Sequence, residues 1–86
     1  MSIYYHHIRN KSNPGKGGMT IAFQESMQDC YVYAVARCNP LDNFCKSVGR
    51  IKAKGRLNSF RYIKWINASS RKEFIKKVTE EEYKGV

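Results

Sequence analysis

Five cations stand close together between residues 46 and 56, namely Lys46, Arg50, Lys52, Lys54 and Arg56, with no carboxylate among them. Lys46, Arg50 and Lys54 recur every four residues, so on a helix they share one side, roughly opposite the expected core positions. Like charges at this spacing repel and weaken an isolated helix by about 0.2–0.5 kcal/mol per pair. A stripe that weakens its own helix is better explained by a polyanionic ligand, and nucleic-acid phosphates are the obvious one. Lys52 and Arg56 flank the stripe, and Gly49 and Gly55 leave room for a backbone to come close. A second group follows at Phe60, Arg61, Tyr62, Lys64 and Trp65. Here rings could stack on unpaired bases while cations hold phosphates. Strand alternation puts Phe60, Tyr62 and Lys64 on one face and Arg61, Ile63 and Trp65 on the other. Phe60 and Trp65 are expected in the core, which leaves Tyr62 with Arg61 or Lys64 as the candidate contacts. Arg71, Lys72, Lys76 and Lys77 read equally well as a secondary footprint or as plain surface.

Catalytic chemistry finds little to work with. His6 and His7 are adjacent, so on a strand they point to opposite faces. Metal-free RNA cleavage needs two proton-transfer groups converging on one phosphate, and no second group presents itself. A metal-dependent nuclease needs clustered carboxylates, and outside residues 73–82 only Glu25, Asp29 and Asp42 are present. The Gly-rich turn around Lys16 is no Walker sequence and reads as a hairpin connection. No catalytic residue, metal or cofactor is expected.

The elements that carry these groups must form one small domain, residues 1–86, because so short a chain cannot split into two cores. The formal net charge is +9, unevenly spread: residues 1–42 net +1, residues 43–77 net +10 and residues 78–86 net −2. Repulsion within 43–77 calls for a counter-anion in the working complex. Cys30, Cys38 and Cys45 are odd in number and lack a C-x-x-C pair, which fits neither a disulfide framework nor a zinc site. With no membrane-length apolar run and no signal-peptide layout, the sequence points to a reducing, cytoplasmic setting.

Ile3–Arg9 reads as a first strand, and residues 10–18 as turn chemistry around Pro14 and three glycines. Met19–Glu25 and Cys30–Cys38 form a hairpin, and the second of these strands is apolar on both faces. Asn39 as N-cap and Pro40 at the first helical position predict a helix over 40–57, with Leu41, Phe44, Cys45, Val48, Ile51 and Leu57 as its core face. Ser59–Ile66 reads as a fourth strand. Ser70-Arg71-Lys72-Glu73 is a capping box that opens a last helix through Phe74, Ile75 and Val78. The expected fold is α+β in the order β-β-β-α-β-α, an antiparallel sheet of four strands with both helices on one face.

Four stretches carry a resemblance: Gly17-Gly18-Met19-Thr20-Ile21-Ala22, Tyr33-Ala34-Val35-Ala36-Arg37-Cys38, Asp42 through Arg50, and Gly55-Arg56-Leu57. Over roughly residues 15–60 the chain resembles small proteins of T4-like bacteriophages. Among these it is most similar to the TifA family, inhibitors of the ToxN endoribonuclease of type III toxin–antitoxin systems. The resemblance implies a phage anti-defence protein of the host cytoplasm that engages RNA and the toxin together and blocks cleavage. It assigns no toxin-contacting residue. The partners expected are therefore RNA and a host endoribonuclease, with no membrane. A protein-only module docking on an acidic host protein, or a general DNA- and RNA-binding protein, are the alternatives. An exposed edge strand leaves homo-oligomers open.

Overall fold

The computed structural model describes residues 2–10, 12–13, 15–59 and 62–82. Strands β1 (Tyr4–Ile8), β2 (Met19–Met27) and β3 (Cys30–Arg37) are followed by helix α1 (Lys46–Ser59), strand β4 (Lys64–Asn67) and helix α2 (Arg71–Glu82). The four strands form one antiparallel sheet in the order β1-β2-β3-β4. The α+β class and the element order follow the sequence expectation.

Register fixes which side chains share a face. Phe23 lies opposite both Tyr4 and Tyr33, and Ile21 opposite His6 and Val35. Ala22 lies opposite Tyr5 and Ala34, and Thr20 opposite His7 and Ala36. The sheet thus has one aromatic face and one lined by small residues. On the aromatic face α2 inserts Phe74, whose ring centroid is 4.6 Å from Tyr31, 4.7 Å from Phe23 and 5.5 Å from Tyr33. Val78, Ala68, Met19 and Ile21 complete this core. On the other face α1 packs Ala53 and Leu57 onto Ala22, Val32, Ala34 and Ala36.

The helices therefore lie on opposite faces, not on one. The apolar alternation of β3 on both sides carries the reason: Tyr31 and Tyr33 need one cover, and Val32, Ala34 and Ala36 need another.

A second correction concerns where α1 begins. Asn39 caps a turn instead of a helix: its Oδ1 accepts from the Leu41 N–H at 2.9 Å and its carbonyl from the Asp42 N–H at 2.9 Å. Residues 42–44 then pair with the β1–β2 connection, with Gly17 N–H donating to Asp42 O and Phe44 N–H to Gly15 O. Gly18 makes this possible with φ +90°, where a Cβ would stand 2.7 Å from the Ile8 carbonyl oxygen. Leu41 is left outside the helix and is 81% exposed.

The capping box at α2 is present in altered form. Ser70 Oγ accepts from Glu73 N–H at 3.2 Å, while the Glu73 carboxylate accepts from Ser69 N–H and its hydroxyl. Together with Lys77 Nζ at 3.0 Å, the Ser69 hydroxyl holds the Glu73 carboxyl down at about 2, the Ser69 bond being the larger cause.

Candidate nucleic-acid interface

The sequence of α1, KSVGRIKAKGRLNS, meets the sheet through its smallest side chains. Gly49, Ala53 and Leu57 stand four residues apart and form the inward stripe. The approach is tightest at Gly49, where a Cβ would stand 2.2 Å from the buried Thr20 Oγ1. Such closeness leaves no room for the larger apolar residues of this helix. Ile51 is 72% and Val48 46% exposed, so neither belongs to the core face expected from the sequence.

This rotation relocates the cations. At 3.6 residues per turn, Lys46, Arg50 and Lys54 run beside the inward stripe on one flank, while Lys52 and Arg56 run along the other. The expected placement of the stripe opposite the core is corrected accordingly. The face opposite the core carries Val48, Ile51 and Gly55. All five cations are exposed, and among the described residues no carboxylate lies within ion-pairing distance of any of them.

Each flank continues into neighbouring elements. Beside the Lys46–Arg50 flank, His7 Nδ1 and Thr20 Oγ1 share a hydrogen bond of 2.8 Å, and the His7 ring meets Phe44 edge-on at 5.8 Å. The Arg9 guanidinium lies 5.1 Å from the Phe44 centroid. Burial first, and then the fields of Lys46, Arg50, His6 and Arg9, hold His7 below its ordinary pKa. His6 points to the opposite face and is lowered by burial. The two rings thus do not converge on one phosphate, as their adjacency on a strand dictates. At the start of α1, hydrogen bonds from the Ser47 hydroxyl and then the Val48 N–H pull the exposed Cys45 thiol down.

On the other flank, β3 pairs with β4 from Cys30 to Tyr33, and among the described residues the Val35 carbonyl has no strand partner. Arg56 Nη1 donates to it at 2.7 Å while its guanidinium lies 5.7 Å from the Tyr62 centroid. Tyr62 is 61% exposed. Arg61 and Phe60 lie outside the described residues.

Lys64 is separated from this group. It points to the α2 face, where its Nζ stands 2.5 Å from Glu82 Oε1, and Arg37 Nη2 contacts the other oxygen at 2.8 Å. Its charge is compensated within the fold. Trp65, expected in the core, instead stands 56% exposed on the α1 side of β4. Ile63 takes the apolar role on that side, and Ile66 on the other. A strand of only four residues at the sheet edge has little core to offer a ring of that size.

Among the described residues no group of three metal-ligating side chains occurs, Cys30, Cys38 and Cys45 are free, and no helix is long and apolar enough to cross a membrane. No family model, curated protein or solved structure matches the chain.

Proposed function

We propose that this chain is an RNA-binding protein without catalytic activity, and that α1 is its working surface. The observation that carries this reading is the state of the α1 cations. Five of them project from one helix, none has a carboxylate partner among the described residues, and the helix has no acid of its own. Outside α1, by contrast, Arg37 and Lys64 are paired with Glu82 and Lys77 with Glu73. An uncompensated basic surface is what a phosphate backbone satisfies, because neutralising phosphates releases condensed counterions. Arg56, Tyr62 and Trp65 extend the surface toward β4, where an unpaired base could stack.

The resemblance to the TifA family supports a finer form of this proposal. In it the protein acts in the cytoplasm of an infected bacterium, engages RNA together with a host endoribonuclease toxin, and blocks cleavage. Exposed Ile51 and Leu41 favour a second reading, in which the chain docks on a protein without RNA.

Arg50→Glu with Lys54→Glu separates the readings. RNA binding should be abolished while the circular dichroism spectrum and melting temperature stay those of the parent. Unchanged RNA affinity would refute the assignment of α1, and toxin capture that survives nuclease treatment would favour the protein-only reading. Loss of the toxin's cleavage product when the protein is added, dependent on the same two residues, tests the finer form.

A further inference from the structure

The outward face of α1 contains a feature that a general affinity for RNA leaves unexplained. Between its two basic flanks runs an apolar ridge, Val48, Ile51 and Gly55, and at Gly55 a Cβ would meet nothing within 4 Å. Lys54 and Lys52 border this ridge at positions about 160° apart around the helix axis, given 3.6 residues per turn. Arg50 and Arg56 stand behind them on the same flanks.

We propose, resting on the RNA reading above, that α1 is a duplex-straddling helix that lies in the minor groove of double-stranded RNA. The ridge faces the groove floor, Arg50 and Lys54 meet the phosphates of one strand, and Lys52 meets those of the other, beside Arg56, whose Nη1 stays on the Val35 carbonyl. A single strand offers one line of phosphates and can satisfy one flank of the helix at a time. Two flanks separated by an apolar ridge need two lines of phosphates. A helix with its side chains is about 10–12 Å across, a size suited to lying along a groove.

The shape of an RNA duplex selects the groove. The major groove of A-form RNA is deep and narrow, while its minor groove is wide and shallow and displays 2′-hydroxyls and base edges between its two lines of phosphates. A helix can therefore lie only in the minor groove, with the low ridge of Val48 and Ile51, ending on Gly55, over its floor.

The test compares one RNA sequence as a duplex of about 16 base pairs, as a single strand, and as the equivalent DNA duplex, at one low salt concentration. Duplex RNA should bind at least about tenfold more tightly than either, and its salt slope should fall by about 0.9 for each phosphate contact removed. Lys52→Ala and Lys54→Ala should each reduce that slope, because both strands are held. Ile51→Glu places a carboxylate on the groove floor at an exposed position, and should weaken duplex RNA at least about tenfold with a smaller effect on the single strand. Tighter binding of duplex DNA overturns the proposal and favours a general nucleic-acid binder, whereas equal or tighter binding of the single strand, or DNA bound only as tightly as RNA, overturns it while leaving the RNA reading in place. So does unchanged duplex affinity of Ile51→Glu. Failure of the parent protein to bind any of the three overturns both, and leaves the ridge as a protein-docking face.

Discussion

The two helices of this fold divide its work. α2 covers the aromatic face of the sheet, buries Phe74 completely and balances its charges, with four basic and four acidic residues between Arg71 and Glu82. Its last acid anchors Arg37 and Lys64, and its first one is held by Ser69 and Lys77. α1 covers the small-residue face through glycine, alanine and one leucine, and carries five cations with no acid. The charges of α2 sum to zero, whereas the five cations of α1 have no carboxylate partner among the described residues, and in the proposed reading a ligand supplies the counter-charge. The difference teaches that a basic composition can point to a candidate surface only once the internally paired cations have been set aside. Lys64 and Arg37 belong to the architecture, and Lys46, Arg50, Lys52 and Lys54 to the surface.

Substitutions can break this division in graded steps. Phe74→Ala removes the side chain that three rings surround, and should cost about 3–5 kcal/mol by chemical denaturation. Against typical stabilities of about 5–15 kcal/mol, that leaves the fold marginal. A smaller loss would mean that the aromatic face is not where stability resides. Gly49→Ala drives a methyl into Thr20 and should cost about 1–3 kcal/mol, with α1 displaced from the sheet. A neutral result would show that α1 can ride higher on β2 without penalty. Gly55→Ala, on the open side of the same helix, should instead stabilise by about 0.5–1 kcal/mol. The opposite signs at two glycines of one helix would mark its inner and outer faces.

The smallest effect is expected from pH. His7 and His6 are held below 6.5 in the folded chain, so the unfolded chain binds protons first as pH falls. Their contribution to stability is complete above pH 6.5 and is lost as pH falls from there toward their lower folded values. RNA phosphates beside Lys46 and Arg50 would oppose the fields that lower His7. Its imidazole titration, followed by NMR, should therefore move upward on RNA binding. A His7 midpoint indifferent to RNA would place the phosphates away from this flank.

Much of the fold was legible in the chain because local chemistry and tertiary structure agree there. The 19–38 hairpin, the element order and the cap at Ser70 follow from alternation and turn residues. The alternation of β3, with tyrosines on one side and small apolar residues on the other, already calls for two covers. Placing both helices on one face left one side of that strand without a partner. The Asn39-Pro40 signal was real but belonged to a turn, because pairing of residues 42–44 with the Gly-rich connection holds the chain extended until Cys45. The cations of the site were legible as a group and their direction was not. Size normally points valine and isoleucine inward, but Gly49 lies so close to Thr20 that a Cβ there would stand 2.2 Å from its Oγ1, which reserves the interface for smaller residues. That contact is tertiary, and no periodicity within α1 announces it.

Amide chemical-shift mapping of the isotope-labelled protein during titration with RNA compares the two helices in a single experiment. Perturbations should concentrate on residues 46–58, with His7 and Tyr62 at their margins, and α2 from Arg71 to Glu82 should remain still. Shifts centred on α2, or a titration that leaves α1 unmoved, would contradict the assignment of α1 as the surface that meets nucleic acid.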